Sequence, residues 1–228
     1  MADLGVVIVT GGASGLGAAV ARGIERAGGT PVVFDVNQPA NGFAWERVDL
    51  ARTREAEQAV RAVAEAHGGI DAVVTAAGVD ACGRIDAIEG ERWDWVVGVN
   101  LLGTAAIARA AVPYLERSSG RIITVASTLG LRALSDATAY CASKFGVVGL
   151  SRALAVELAG RVGVTCLIPG GMQTAFFDGR DEQYKPGPDA QLAAPDDVAE
   201  AVLFALSRPV GMEVRELIIT PSTEPSWP

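Results

Sequence analysis

The chain is predicted to fold as an α/β protein, with a doubly wound parallel sheet of about seven strands and helices on both faces. Short runs of β-branched residues alternate with longer Ala-rich segments of helical period, which is typical of parallel strands joined by helices. The chain has 228 residues, of which 50% are hydrophobic and 20% charged, so it can bury a sizeable core. This length favours a single domain spanning residues 1–228.

Strand and helix patterns follow one another along the chain. Strands are predicted at seven short segments: residues 5–9, 31–35, 44–48, 72–75, 121–125, 162–168 and 216–219. Helices are predicted at five longer segments: residues 15–27, 53–66, 91–113 with a break near Gly98, 138–159 and 195–207. Gly, Pro and acidic residues crowd residues 177–195, which are predicted as a long surface loop. Residues 221–228 contain three prolines and are predicted to be irregular.

The charge balance and the hydropathy pattern exclude several classes of protein. The formal net charge is −8, which disfavours a partner with a phosphate backbone, so no nucleic-acid binding is expected. No uninterrupted run of about 18 apolar residues occurs, and we expect no membrane span. The apolar N-terminal stretch has no basic segment before it, so it is not interpreted as a signal peptide.

Cysteine and histidine are scarce. The three cysteines, Cys82, Cys141 and Cys166, are odd in number and form no Cys-x-x-Cys motif, which favours a reducing, cytoplasmic location. His67 is the one histidine, so a Cys/His metal site has too few ligands, and no metal is expected.

A glycine-rich turn follows the first predicted strand. Residues 10–17 read Thr-Gly-Gly-Ala-Ser-Gly-Leu-Gly and pass directly into a predicted helix. Side chains at Gly11, Gly15 or Gly17 would obstruct a pyrophosphate that approaches the backbone N–H groups at the positive end of the helix dipole. A tight turn with a close helix–sheet crossing would need the same glycines. The strand–turn–helix context favours a Rossmann-type dinucleotide site, which also includes Ser14 and Leu16.

Asp35 ends the second predicted strand, about twenty residues beyond this turn. A carboxylate there can accept hydrogen bonds from both ribose hydroxyls of an adenosine and would repel a 2′-phosphate. Ala13, Ser14 and Val36 offer no compensating cation, so NAD is favoured over NADP. The alternative role of Asp35 is that of an ordinary turn former at a strand end.

Tyr140 and Lys144 lie four residues apart and therefore on one face of a predicted helix. The ordinary pKa of tyrosine is about 10, and a base near neutrality requires a decrease of about three units. One ammonium about 4 Å away supplies roughly that, so the lysine, helped by an oxidised nicotinamide, could make the phenol a working acid/base. Ser127 follows the predicted strand 121–125, where its hydroxyl could bind a substrate oxygen shared with Tyr140.

A buried tyrosine with a solvent-facing lysine is the ordinary explanation of such a pair. Of the 19 basic residues, however, Lys144 and Lys185 are the only lysines, and all others are arginines. A lysine retained inside a helix of such a chain indicates that a compact ammonium is needed there.

Together, these motifs resemble the short-chain dehydrogenase/reductase family in its common one-domain branch. The resemblance covers nearly the whole chain, and several motifs in the right order are more specific than any one alone. It rests on residues 10–17, Asp35, Asn100, Ser127, the Tyr-Cys-Ala-Ser-Lys sequence at 140–144 and the Pro-Gly sequence at 169–170.

The resemblance implies roles for four catalytic residues. Tyr140 would exchange the proton, and Lys144 would lower the pKa of the tyrosine and bind the nicotinamide ribose. Ser127 would orient the substrate oxygen. Asn100 would help to hold a water that links the lysine to solvent, and its alternative role is that of a helix-breaking residue.

The resemblance also implies contacts to the rest of the cofactor. Asp49, followed by Leu50, corresponds to the adenine contact of the family. Pro169 and Gly170 lie in the segment after the sixth strand, whose threonine, here Thr174, contacts the cofactor amide or the phosphates. Asp49 and Thr174 could equally cap the helices that follow them.

The segment after the fourth predicted strand departs from the family pattern. Thr75 stands where the family usually has asparagine, so the bracing of the sheet by that asparagine is in question here. The small residues that follow, Ala76, Ala77 and Gly78, still permit a close approach of the cofactor.

These observations predict an NAD(H)-dependent oxidoreductase that interconverts a secondary alcohol and a ketone. The chemistry is expected at the carboxyl ends of the strands, under a substrate lid formed by residues 172–194. The predicted apolar substrate contacts are Val79, Leu129, Leu131, Leu134, Met172 and Phe176.

Two other functions remain open. One is an NADP(H)-dependent ketone or acyl reductase of the same family, and the other is a non-catalytic dinucleotide sensor or scaffold. The resemblance further implies a homotetramer or a homodimer, built partly by the helices around residues 105–115 and 143–159.

Overall fold

The protein is described by a computed structural model over residues 4–40 and 42–226. Seven parallel strands form one sheet: β1 (Val6–Thr10), β2 (Thr30–Asp35), β3 (Ala44–Arg47), β4 (Ala72–Thr75), β5 (Arg121–Val125), β6 (Gly163–Pro169) and β7 (Glu216–Ile219). The strand order is β3-β2-β1-β4-β5-β6-β7, so the chain winds outward from β1 in one direction and then from β4 in the other. This is the doubly wound, Rossmann-type sheet predicted from the sequence. The reversal between β1 and β4 leaves a crevice at the carboxyl ends of the strands.

Helices cover both faces of this sheet. Those of the described residues are α1 (Gly15–Arg26), α2 (Thr53–His67), α3 (Gly90–Val97), α4 (Thr104–Ser118), α5 (Thr138–Glu157) and α6 (Pro195–Leu206). α1 packs on α6, and α2 packs on α4. Ile8 of β1 joins the apolar cluster beneath α2 and α4, whereas its neighbours Val7 and Val9 join the cluster beneath α1 and α6. Successive strand residues face opposite sides, so a sheet covered twice needs the continuous apolar runs seen in the sequence.

The third predicted helix differs from the structure at two points. The predicted break near Gly98 does not occur, because a π-helical segment, Gly98–Gly103, joins α3 to α4. The predicted end at Pro113 is wrong, because α4 contains Pro113 and continues to Ser118. Leu115 is fully buried, and Ser118 Oγ donates to a main-chain carbonyl at 2.9 Å. Packing of the last turn therefore outweighs the hydrogen bond that proline removes.

The predicted surface loop and the predicted irregular C-terminal segment are largely as expected. The lid contains two short 3₁₀ turns, Ala175–Phe177 and Glu182–Tyr184. Residues 221–226, here called the C-terminal tail, form turns and irregular structure, and residues 227–228 lie outside the described residues.

The continuous helical stretch Gly90–Ser118 is long and apolar enough, by length and composition alone, to cross a membrane. Core helices of soluble proteins pass the same test, and 56% of its most apolar window is buried within the protein. The absence of a membrane span therefore stays a prediction.

Candidate active site

A cavity of about 1030 Å³ opens at the carboxyl ends of the strands, in the crevice beside β1 and β4. Its wall is formed by the glycine-rich turn, the ends of β2, β4, β5 and β6, the lid and the C-terminal tail. The predicted cofactor residues that line it are Gly11, Ser14, Gly15, Leu16, Gly17, Asp35, Asp49, Leu50, Ala76, Ala77, Gly78, Tyr140, Lys144, Pro169, Gly170 and Thr174. The predicted substrate residues that line it are Val79, Leu129, Leu134, Met172 and Phe176. Residues far apart in sequence thus share one site, while their individual roles stay predictions.

Leu131 is not part of this wall, and the prediction that it lines the substrate pocket is wrong. The short 3₁₀ turn Thr128–Gly130 after β5 directs Leu131 onto a separate apolar cluster, which includes Val147 and Ile168. Burial against that cluster keeps the side chain away from the cavity.

The glycine-rich turn brings bare backbone to the floor of the cavity. Gly11 has φ +69°, and a Cβ there would lie 2.7 Å from Ala77 Cα. A Cβ on Gly17 would lie 2.3 Å from the carbonyl oxygen of Gly11. Ser14 begins α1 without a side-chain cap, so N–H groups of the first helical turn are left for another acceptor. The turn is thus both closely packed and suited to a pyrophosphate, and it fits the group that the sequence predicts.

Asp35 lies beside this turn at the end of β2. Its Oδ2 accepts a hydrogen bond from the Ala13 N–H at 3.0 Å, and its Oδ1 accepts one from the Asn37 N–H at 2.9 Å. The second bond is that of a turn former, as the alternative interpretation expects. Each oxygen keeps acceptor capacity toward the cavity, so the two roles are compatible.

Asp49 makes a similar local bond. Its Oδ1 accepts from the Ala51 N–H at 3.0 Å, whereas the residue that begins α2 is Arg52. Asp49 therefore lies in the cavity wall but does not cap α2.

Ser127, Tyr140 and Lys144 meet at the end of β5. Ser127 Oγ accepts from the Leu129 N–H at 3.1 Å and shares a hydrogen bond with the Tyr140 phenol. One helical turn beyond Tyr140, the Lys144 ammonium lies 5.6 Å from the centre of the tyrosine ring and donates to the carbonyl of Val125 at 2.8 Å. Lys144 is 3% exposed, so it is not the solvent-facing lysine of the ordinary explanation.

The pKa values in this arrangement correct one expectation. Burial raises the pKa of Tyr140 to about 12, and the hydrogen bond from Ser127 opposes that rise only in part. Burial also lowers the pKa of Lys144 to about 8. The lysine alone therefore does not bring the phenol toward neutrality, because desolvation outweighs the attraction of one nearby ammonium.

Asn100 lies in the π-helical segment behind the cavity wall. Its Oδ1 accepts from the Val79 N–H at 2.8 Å, and its Nδ2 donates to the carbonyl of Val79 at 2.9 Å. Nδ2 also donates to Ser143 Oγ at 3.0 Å. Asn100 thus ties the segment after β4 to α5 next to Lys144. Its side chain is a brace, which differs from the helix-breaking role.

Thr75 does not brace the sheet as the asparagine usual in the family would. A different residue bonds to the segment after β4. Thr10 Oγ1 accepts from the Ala77 N–H at 3.1 Å. Thr75 Oγ1 is buried without a hydrogen-bond partner among the described residues. A Cβ at Gly78 would lie 3.6 Å from Lys144 Nζ, so this glycine borders the ammonium directly.

Arg180 lines the cavity, and it is not among the site residues predicted from the sequence. Arg180 lies in the segment predicted as a surface loop, yet its side chain is largely buried and pairs with Asp80 at 2.7 Å. Phe176 packs on Tyr140 with ring centres 5.6 Å apart. The one available signal was the isolated arginine between acidic residues, next to Phe176 and Phe177.

The C-terminal tail was also missed as part of the site. Glu224 Oε2 accepts from the Gly171 N–H at 2.9 Å. The hydroxyls of Ser226 and Thr128 lie 2.6 Å apart, beside Ser127. The tail therefore lies across the end of the cavity, and nothing in its composition indicates this.

The fold and this site together are typical of dehydrogenases that use a dinucleotide cofactor. Residues 5–185 match the family described as short chain dehydrogenase, and the chain belongs to this family, whose members bind a nicotinamide dinucleotide. An uncharacterized oxidoreductase of Staphylococcus aureus strain MRSA252 is 33% identical over 228 residues, covering 95% of this chain and 96% of the relative. An uncharacterized oxidoreductase of Staphylococcus epidermidis is also 33% identical, with the same coverage.

Two solved structures show the same fold. The ligand-free aldohexose dehydrogenase of Thermoplasma acidophilum has a TM-score of 0.87 and 25% identity, covering 96% of this chain and 94% of its own. The alcohol dehydrogenase of Thermococcus sibiricus in complex with 5-hydroxy-NADP has a TM-score of 0.82 and 25% identity, covering 94% and 95%. Membership of this family makes the protein an oxidoreductase.

Gly17→Ala is expected to weaken dinucleotide binding by about tenfold or more, because the new Cβ displaces the Gly11 carbonyl and with it the turn. Calorimetric titration with NAD and NADH measures the affinity. Gly149→Ala is the matched control, since a Cβ at Gly149 meets no atom within 4 Å. Equal affinities of parent and Gly17→Ala would contradict the assignment of this turn.

Lys144→Met is expected to raise the free energy of unfolding at pH 7 by roughly 3 kcal/mol, the equivalent of lowering the pKa from 10.5 to about 8. Below pH 8 both folded and unfolded chains hold the proton, and the folded chain bears the full cost of the buried charge. Between pH 8 and 10.5 the unfolded chain holds more protons, so the parent gains stability as the pH rises and the advantage of the variant shrinks.

Urea unfolding at a series of pH values measures this difference. Lys185→Met is the control, because Lys185 pairs with Glu182 at the surface and should give a difference that does not vary over this range. An advantage of Lys144→Met that is constant from pH 7 to about pH 10 would show that the buried ammonium has no such cost.

Proposed function

We propose that this protein is an NAD(H)-dependent oxidoreductase that interconverts a secondary alcohol and a ketone. The observation that carries the proposal is the meeting of Ser127, Tyr140 and Lys144 in one cavity with the glycine-rich turn and Asp35. An acid/base group and a binding surface for a dinucleotide within one cavity are what the reaction needs.

The cofactor would lie along the carboxyl ends of the strands. A bound nicotinamide dinucleotide supplies the acceptor of the electron pair in alcohol oxidation and its donor in ketone reduction. The residues proposed to hold it are those of the glycine-rich turn with Asp35, Asp49, Leu50, Ala76, Ala77, Gly78, Pro169, Gly170 and Thr174.

Tyr140 is the proposed proton carrier. A pKa of about 12 keeps its phenol protonated at neutral pH, so it is ready to donate a proton to a ketone oxygen. In the oxidation direction it must accept the hydroxyl proton, which requires positive charge nearby. Lys144, with a pKa of about 8, is still largely protonated at pH 7 and provides that charge from this chain. Ser127 would orient the substrate oxygen through its hydroxyl.

NAD is the proposed cofactor because of the charges around the cavity. Asp35 lies at the adenosine end and would repel a 2′-phosphate. Among the described cavity-lining residues, the cations are Lys144 and Arg180, which are bound to the Val125 carbonyl and to Asp80 at the catalytic end. NADP(H) is the second candidate, since the similar Thermococcus sibiricus enzyme is in complex with an NADP derivative.

The substrate proposed is a small, partly apolar alcohol or ketone. Leu129, Leu134 and Phe176 give one end of the cavity an apolar wall, and Phe177 adds a second ring to the lid. An apolar wall with a few polar groups fixes the orientation of such a ligand.

We further propose a cytoplasmic homotetramer or homodimer. Cys82, Cys141 and Cys166 are free thiols, in keeping with a reducing compartment. Phe145 and Val156 of α5 are exposed large apolar side chains, which would suit an interface between copies.

Tyr140→Phe is expected to lower turnover by at least about a hundredfold while the cofactor still binds, because the variant keeps the ring and loses the proton carrier. The test is a panel of alcohols and ketones with NAD, NADH, NADP and NADPH. Tyr114→Phe is the matched control, since Tyr114 lies on α4 outside the cavity wall. Undiminished turnover of Tyr140→Phe would exclude this residue as the acid/base, and an inactive parent that binds the cofactor would favour a sensor.

Asp35→Ala is expected to reduce the preference of kcat/KM for NAD over NADP by about tenfold or more, because the charge that repels a 2′-phosphate is lost. Steady-state kinetics with both cofactors measures the ratio. Asp49→Ala is the control for loss of one acidic group from the same wall. A parent that already prefers NADP would overturn the assignment of Asp35.

A further inference from the structure

A second cluster of charged and aromatic residues lies beside the cavity and includes Arg180, Phe176 and Phe177 of its wall. Arg180 of the lid donates through Nη2 to Asp80 Oδ2, in the loop after β4, at 2.7 Å. The two side chains are only 17% and 6% exposed, whereas those of the nearby Arg84–Asp86 pair are 76% and 64% exposed. Burial of two charges costs solvation, so this pair must be held by further bonds to persist.

Both partners have such bonds. Asp80 Oδ1 accepts from the Ala81 N–H at 2.7 Å, and Oδ2 also accepts from the Cys82 thiol at 3.3 Å. Arg180 Nη1 donates to the carbonyl of Tyr184 at 3.3 Å. The pair is therefore fixed both to the loop after β4 and to the second turn of the lid.

The guanidinium of Arg180 also organises the aromatic residues of the lid. Its central carbon lies 4.8 Å from the ring centre of Phe176 and 4.6 Å from that of Phe177. Phe176 in turn lies on Tyr140, with ring centres 5.6 Å apart and planes tilted by 54°. A continuous series of contacts thus runs from Asp80 through Arg180 and Phe176 to the phenol.

We infer that the Asp80–Arg180 ion pair is a positioning device for the proposed oxidoreductase reaction, on which this inference rests. It ties the lid to the loop after β4, holds Phe176 against Tyr140 and keeps water from the phenol. Asp80 and Arg180 are positioning residues in this account, since they act through Phe176 and through their charges.

The charges facing the phenol give this inference a distinctive consequence. Besides Ser127 of the β5 end and Lys144 and Cys141 of its own helix, the charged groups that act on the Tyr140 phenol are Asp80 and Arg180. Asp80 raises the pKa of the phenol and Arg180 lowers it. The two charges of the intact pair therefore act on the phenol in opposite directions, and removal of one partner leaves the charge of the other uncompensated.

The test compares Asp80→Asn, Arg180→Gln and the double variant in kcat/KM for alcohol oxidation between about pH 6 and pH 10, where activity rises with pH toward the pKa of the phenol of about 12. Loosening of the lid hydrates the phenol in both single variants and shifts both profiles in the same direction. The remaining charge shifts them in opposite directions. The profile of Arg180→Gln is therefore expected to lie roughly one pH unit alkaline of that of Asp80→Asn, with the double variant between them.

The lid itself supplies a second measurement that needs no turnover. Amide hydrogen exchange of residues 176–185 is expected to be at least about tenfold faster in each single variant, and KM to rise by about tenfold, as the closed lid becomes less populated. Arg84→Gln and Asp86→Asn are the matched controls, because they make the same substitutions in an exposed pair of the same loop.

The outcomes separate this inference from the proposed function. A parent without turnover on any alcohol or ketone would refute the proposed function, and exchange at the lid would still decide whether the pair holds it. Lid exchange at the parental rate, or identical pH profiles of the two single variants, would overturn the positioning role.

Discussion

A positively charged lysine inside the protein is the feature on which the site depends. Lys144 is buried because α5 lies against the end of β5, and its ammonium is stabilised by the Val125 carbonyl at 2.8 Å. Gly78 leaves the space beside it open, and Asn100 fixes the backbone of the neighbouring segment. The carbonyl acceptor and the wall fixed by Asn100 lower the cost of the charge without removing it. The pKa of the Lys144 amine is therefore about 8, below its ordinary value of 10.5.

The winding of the sheet explains why these groups meet. The polypeptide leaves β1 toward one edge and returns at β4 toward the other, so no connection covers the strand ends at the reversal. The glycine-rich turn and Ser127 follow strands and Asp35 ends one, so all three face this open crevice. Tyr140 and Lys144 come from a helix that packs beside it, and the lid and the C-terminal tail close over it. The strand ends form the base of the cavity, and the lid and the C-terminal tail lie over it.

Features that depend on local chemistry could be predicted from the sequence, whereas those that depend on distant packing could not. The strands, the glycine-rich turn and the helical spacing of Tyr140 and Lys144 follow from residue period and turn chemistry. The continuation of α4 through Pro113 depends on the burial of Leu115, which the local sequence does not reveal. The cover of the cavity depends on pairs such as Asp80 with Arg180, a hundred residues apart. The burial that raises the pKa of Tyr140 likewise involves a distant residue, Phe176, so the direction of this pKa could not be predicted from the sequence.

The π-helical segment Gly98–Gly103 makes the long helix sensitive to its own length. Such a segment accommodates one more residue per turn than an α-helix, and each residue of an α-helix advances the chain by about 100°. A deletion of one residue here would restore regular α-helical hydrogen bonds and remove the widened turn. Asn100 lies in this widened turn, so loss of the turn would displace the Asn100 side chain from the backbone of Val79. Insertions and deletions that a surface loop tolerates would, in this helix, disrupt the support of Lys144.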